Sequence, residues 1–186
     1  HNGFELDKYF KTDDLKKCSR FWIILFKTIL SKLYHWKIYV VGSVEYQYPN
    51  HLFQAGYFLD KKYYDENTID FKHLLLSEKN QSLLKDIQNS NSVGVHIRRG
   101  DYMTKQNLVI FGNICTQKYY HDAIRIITEK VNDAVFYVFS DDISWVQTHL
   151  DIPNAVYVDW NTGESSIYDM YLMSSCKYNI IANSTF

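Results

Sequence analysis

Cysteine is scarce in this chain, and its arrangement excludes two structural devices. Cys18, Cys115 and Cys176 lie far apart, with no Cys-x-x-Cys and no Cys/His ligand spacing, so neither a disulfide framework nor a zinc site is indicated. Proline occurs only at Pro49 and Pro153, which leaves no proline-rich linker. The seven glycines form neither a dinucleotide fingerprint nor a P-loop, so the usual glycine-rich phosphate cradles are missing. No charge of one sign dominates: 20 Lys and Arg against 21 Asp and Glu give a net charge of −1. The field of such a molecule does not favour nucleic acid, and any anion it binds must be held by a local cluster. Long apolar runs are absent too. The most apolar stretch, residues 21–30 "FWIILFKTIL", is interrupted by Lys27 and too short to span a bilayer. With Arg20 and Lys32 on its flanks it suits a core helix first and a membrane-surface helix second. The start "HNGFELDKYF" is not Met-led and carries no signal pattern, and "NIIANSTF" stops straight after an apolar run. The chain is therefore expected to be a piece of something longer.

Aromatic residues are abundant, at 17% with sixteen tyrosines. That supply suits sugar- or base-contacting surfaces and, equally, plain packing in which a Tyr buries its ring and keeps its hydroxyl wet. Periodicity gives the elements. One or two helices are expected over 12–36, and another over 74–87 with Ser77 as its N-cap. After Asn91 the rhythm changes. A strand at 93–98 leads into a long polar loop, then a helix capped by Thr116 with Tyr120, Ala123, Ile124, Ile127 and Val131 on one face. "AVFYVFS" (134–140) is a strand, and Asp141 and Asp142 cap the helix "ISWVQTHL". "AVYV" (155–158) is a strand, Ser166 and Asp169 form a capping pair for "IYDMYLMSSC", and "KYNIIA" (177–182) is the last strand. The order β-α-β-α-β-α-β with near-continuous apolar strands predicts an α/β fold with a Rossmann-like parallel sheet. A boundary near residue 90 separates 1–90 from 91–186.

In an open parallel sheet ligands bind beyond the carboxyl ends of the strands. The residues following each strand are Arg98–Arg99–Gly100–Asp101, Ser140–Asp141–Asp142, Asp159–Trp160–Asn161 and Asn183–Ser184–Thr185. Guanidinium groups offer planar bidentate donors to phosphate oxygens, so the Arg98–Arg99 pair suits a diphosphate bound without a metal. Hydroxyls of Ser184 and Thr185 could complete the cradle, and Asp141 could accept two hydrogen bonds from a guanine edge. The competing reading is a surface salt-bridge loop. Scattered His35, His51, His73, His121 and His149 show no ligand spacing, and reading Asp141–Asp142 as a metal-binding Asp-x-Asp is a minor alternative.

The order of residues then adds a resemblance. "HIRRGDY" (96–102) looks like the diagnostic motif of the α-1,2-fucosyltransferases, glycosyltransferase family 11, and its shorter core is shared with α-1,6- and protein O-fucosyltransferases. "FYVFSDDISWV" (136–146) and "DMYLMSSCKYNIIANSTF" (169–186) resemble the family's second and third blocks. "GYFLDKKYY" (56–64) is similar to a segment of bacterial members, departing from it at Leu59–Asp60. The resemblance implies a GT-B-type fold with residues 1–90 as an incomplete acceptor-side lobe and 91–186 as the GDP-fucose-binding lobe, truncated at its C-terminus. It implies GDP-β-L-fucose as donor and inverting transfer to the 2-hydroxyl of a galactose-containing oligosaccharide or glycolipid, with no metal or other cofactor. Arg98 would grip the β-phosphate, Arg99 would support the loop or the fucose, and His96 would orient the arginine or the phosphate. Ser140, Asp141 and Asp142 would stand on the donor side with Asp141 reading guanine; Ser184, Thr185 and Phe186 would line the diphosphate and base. Asp101 is the first choice of general base, set against a carboxylate that only pairs with Arg99 to hold the loop, a base supplied from a segment ahead of His1, and a loose mechanism that needs little base help. Other linkages, α-1,6 among them, and a non-catalytic nucleotide- or glycan-binding module are the alternatives. The expected location is cytoplasmic with peripheral contact at the inner membrane face, or the Golgi lumen if an N-terminal anchor precedes the chain.

Overall fold

The computed structural model describes residues 6–11, 21, 24, 29, 39–42, 53–56 and 70–184. The chain divides into two compact units, 1–74 and 75–186. In the first unit, helix α1 (Leu6–Tyr9) is followed by strands β1 (Tyr39–Gly42) and β2 (Phe53–Gly56), which pair in parallel. Phe10 bridges Phe71, their rings 4.6 Å apart, beside an ion pair between Lys11 and Asp70. Most of the helical expectation over 12–36 and of the 56–64 block lies outside the described residues.

The second unit begins with helix α2 (Glu78–Asn89), whose N-cap Ser77 accepts the Asn80 N–H at 3.3 Å. The unit therefore starts ahead of the change of rhythm at residue 90. Strand β3 (Asn91–Ile97), helix α3 (Gln117–Lys130), strand β4 (Ala134–Ser140), helix α4 (Ile143–His149), strand β5 (Ala155–Val158), helix α5 (Ser166–Ser174) and strand β6 (Tyr178–Ile180) follow. The four strands form one parallel sheet in the order β5-β4-β3-β6. This is the α/β arrangement expected, a Rossmann-like sheet covered on both faces. The chain walks outward from β3 to β5 and then returns to the far side of β3, so a topological switch point lies between β3 and β6.

Strand alternation builds two cores. Val93, Val95, Ile97, Phe136 and Val138 meet Tyr120 and Ile124 of α3 and Val146 of α4 on one face. Tyr137, Phe139 and Val158 meet Leu83 and Ile87 of α2 and Leu172 and Met173 of α5 on the other. Caps read from sequence form at Thr116, which accepts the Tyr119 N–H at 3.4 Å, and at Asp142, which accepts the Trp145 N–H at 3.2 Å. Two local expectations change. The loop after β3 is not simply polar: a 3-10 turn (Gly100–Met103), a helical turn (Lys105–Asn107) and a π turn (Leu108–Gly112) occupy it. The Ser166/Asp169 capping pair does not form, because the N-cap is Ser165 without a side-chain bond and Asp169 faces inward.

Candidate active site

The carboxyl ends of β3, β4 and β5 open onto a cleft of about 540 Å³, walled among others by His96, Arg98, Ser140, Asp141, Asn161 and Asp169. Alternation along β3 sends Ile97 into the α3/α4 core and turns His96 toward the cleft. His96 is buried, and its backbone carbonyl accepts the Tyr120 hydroxyl at 3.2 Å. Burial, helped by the charge of Arg98 and opposed by that of Asp141, pushes its imidazole down to about 4. The ring is therefore neutral near pH 7, a hydrogen-bonding group rather than a second cation.

Arg98 is fixed between two acids. Its Nη2 lies 2.9 Å from Asp101 Oδ1 and its Nη1 lies 3.0 Å from Asp141 Oδ2. Asp141 is the hub of the loop, since its Oδ1 also accepts the Arg99 N–H at 2.9 Å. Gly100 fits that crowding: a Cβ there would stand 2.5 Å from Asp141 Oδ2 and would have to displace the carboxylate that holds Arg98. Arg99 leaves the cleft. Its Cζ sits 3.5 Å from the Trp145 ring centroid and its Nε 3.4 Å from Asp142 Oδ2, while Trp145 stacks in turn on His149. Across the switch point, the Tyr102 hydroxyl donates to the Asn183 carbonyl at 3.0 Å and Asn183 Nδ2 donates to the Phe111 carbonyl at 3.3 Å. The segment after β6 is thereby tied to the loop after β3.

The structure thus gathers His96, Arg98, Ser140 and Asp141 on the cleft wall. Asp101, Arg99 and Asp142 are not among the lining residues: Asp101 pairs with Arg98 from an exposed position, and Arg99 pairs with Asp142. Ser184 is half-buried on the segment after β6 and is not among the lining residues; Thr185 and Phe186 lie outside the described residues. Among the described residues no group of three His, Cys, Asp or Glu is placed to hold a metal ion.

Asp169 was missed as a cleft residue. It is 8% exposed, and its Oδ1 accepts from Asn161 Nδ2 at 2.7 Å. Burial pushes its carboxyl up to about 7 against the lowering effect of that hydrogen bond. The signal was present. Asp169, Leu172, Met173 and Cys176 fall at i, i+3, i+4 and i+7, a buried helical stripe with a carboxyl group in it.

Comparison with known proteins gives the family of the chain. A model of "Glycosyl transferase family 11" matches residues 10–186. An alpha-1,2-colitosyltransferase of Escherichia coli is 35% identical over 154 residues, 78% of this chain and 49% of that protein. The O-antigen biosynthesis glycosyltransferase WbnK of Escherichia coli is 44% identical over 100 residues, 53% of this chain and 33% of that protein. Galactoside alpha-(1,2)-fucosyltransferase 2 of Pongo pygmaeus is 28% identical over 121 residues, 61% of this chain and 35% of that protein. The chain therefore spans about half or less of the length of these relatives. No solved structure matches it. With a match that runs from residue 10 to the last residue, this chain belongs to glycosyl transferase family 11.

Proposed function

We propose that the chain carries the donor site of an inverting α-1,2-fucosyltransferase with a GT-B-type two-lobed architecture. It would move L-fucose from GDP-β-L-fucose to the 2-hydroxyl of a galactose-type acceptor without a metal. The observation that carries this reading is Arg98, held by two carboxylates at 2.9 and 3.0 Å on the rim of the cleft. In-line attack at the anomeric carbon expels GDP, and the negative charge growing on the β-phosphate is met by that guanidinium more strongly in the transition state than in the ground state. The two partners of Arg98 differ in kind. Asp141 is 25% exposed and anchored by the Arg99 N–H, whereas Asp101 is 57% exposed. A diphosphate would displace Asp101 from Arg98 and leave it free as the general base for the acceptor hydroxyl. Because both oxygens of Asp141 are engaged, we assign the guanine edge to Asp169 on the inner wall of the cleft. A carboxylate there can accept both N–H groups of that edge.

Supporting this reading, the relatives named for α-1,2 transfer include both colitosyl- and fucosyltransferases. The colitosyltransferase favours a second reading in which the donor sugar is colitose, a fucose without its 3-hydroxyl. Competing the two donors and reading the product linkage by NMR separates the two. The site itself is tested by calorimetric titration of GDP in EDTA. Binding should persist in the wild type and weaken by about 10- to 100-fold in Arg98→Ala, the worth of a hydrogen bond to a charged group, with circular dichroism unchanged, while the transfer rate falls by about 100- to 1000-fold. Undiminished affinity in that variant overturns the assignment. Among the described residues no helix is long and apolar enough to cross a membrane; peripheral attachment at the cytoplasmic membrane face remains our proposal for location.

A further inference from the structure

Asn80 lies on α2, outside the stretches that carry the family motifs, yet it is 1% exposed and faces the cleft wall. Its Oδ1 accepts the Trp160 indole N–H at 2.7 Å and one N–H of Asn161 at 3.1 Å. Its Nδ2 donates to Asn161 Oδ1 at 2.9 Å. Asn161 Nδ2 also donates to Asp169 Oδ1 at 2.7 Å, so its bonds are shared between the buried amide and the cleft carboxyl. Lys79 lies over the Trp160 ring at 3.6 Å and pins the indole.

The direction of this chain is dictated by chemistry. An indole N–H can only donate, so it turns the oxygen of Asn80 toward itself. The Asn80 nitrogen then faces Asn161 Oδ1, and the Asn161 nitrogen must face Asp169. Reversing either amide would set N–H against N–H in a buried site, leaving donors unpaired. A helix needing only to pack could place a leucine here and avoid desolvating two amides. The relay instead ends on a carboxyl at the cleft, delivering a donor to one oxygen and keeping that oxygen an acceptor. The donation opposes burial, which still pushes the carboxyl up to about 7, and so favours the ionised form that accepts from a ligand over the acid that would offer an O–H.

We infer that Asn80, acting through Asn161, is a positioning residue that holds Asp169 as a fixed hydrogen-bond acceptor and thereby sets the purine preference of the nucleotide site. This rests on the reading of Asp169 as the partner of the guanine edge. Inosine diphosphate, which lacks the exocyclic amine, removes one of the two donors that edge presents. The test is the ratio of dissociation constants for inosine diphosphate and GDP, measured by calorimetry on the full chain. The wild type should prefer GDP on the order of 10- to 100-fold, the worth of one hydrogen bond to a charged group. Asn80→Ala should reduce that preference by on the order of tenfold or more, and Trp160→Phe, a milder change that removes the directing N–H and keeps a ring, should reduce it in the same sense. Affinity for inorganic pyrophosphate should stay unchanged in both. A purely structural role would weaken GDP and inosine diphosphate together and leave the ratio intact. If Asp169→Asn erases the preference while both other variants keep it, the inference about Asn80 fails and the base-reading assignment stands. If the wild type shows no preference, the assignment of Asp169 fails and the inference fails with it.

Discussion

The side chain of Arg99 lies flat on Trp145 with its Cζ 3.5 Å from the ring centroid, and the same ring stacks on His149 at 4.6 Å. Its neighbour Arg98 points the other way, to the cleft. Two adjacent arginines at a strand end alternate sides, so one is available to a ligand and the other pins its loop to α4. Their substitutions should therefore separate. Arg99→Ala should lower folding stability by about 1–2 kcal/mol, the range of a partly desolvated cation–π contact, with a much smaller loss of GDP affinity than Arg98→Ala. Urea denaturation and GDP titration on the same two variants measure both quantities. Equal losses of GDP affinity would show that the ring contact does not hold Arg99 out of the site. At this scale the sequence was partly legible. The motif 96–102 pointed to Arg98 because ligands meet a parallel sheet at the carboxyl ends of its strands and a guanidinium there suits a phosphate. It could not show that Asp101 pairs with Arg98, or that Asp141 spends both oxygens on the arginine loop. Those are choices among nearby acids made by geometry. Asp169 was read as a cap because Ser-x-x-Asp is a local pattern, while its burial depends on packing against α2 and on Asn161, residues distant in sequence.

Among the elements, α2 is the one whose affiliation periodicity could not assign. Its amphipathic pattern announces a helix and Ser77 announces its start, but neither says which sheet it covers. The structure packs Ile87, 0% exposed, and Leu83 against Tyr137, Leu172 and Met173. The helix therefore closes the second face of the β3–β6 sheet and carries Asn80 to the cleft. Ile87→Ala should destabilise the sheet unit by about 2–5 kcal/mol through lost burial and a cavity, seen as a lower urea midpoint monitored by tryptophan fluorescence. A change within a few tenths of a kcal/mol would mean that α2 is not part of this core. The strands were legible because parallel strands buried on both faces read as apolar runs of fixed length: the expected 134–140 and 155–158 coincide with the observed β4 and β5. The order β5-β4-β3-β6 was less so. Strand neighbours are set by long-range pairing that a linear pattern does not encode.

For the molecule as a whole, the cleft holds two buried titratable groups whose contributions to stability run in opposite directions. His96 is pushed down to about 4 from 6.5. The unfolded chain then binds more protons between those values, so His96 costs stability as pH falls through that window. Asp169 is pushed up to about 7 from 3.8. The folded chain binds more protons there, so its contribution is lost as pH rises through that window. The slopes oppose each other between about 4 and 6.5, so each partly masks the other over that span. Each single variant should uncover the other slope. In His96→Gln, urea midpoints should fall as pH rises from 4 to 7; in Asp169→Asn, they should fall as pH drops below 6.5.

The proposed reading of a guanine edge by Asp169 would couple the ligand to the same proton. Accepting two N–H donors requires the ionised carboxylate, whereas burial holds the proton on that carboxyl up to about 7, so on that proposal donor binding should release a proton at and below neutral pH. GDP-fucose makes the clean probe, because neither of its phosphates titrates in this range. Titrations at pH 6.5 in two buffers of different ionisation enthalpy should give different apparent heats for the wild type and equal heats for Asp169→Asn, and affinity in the wild type should rise between pH 6 and 8. Equal heats in the wild type would mean that no proton leaves on binding. The carboxyl would then be charged before the donor arrives, or would never meet the base at all.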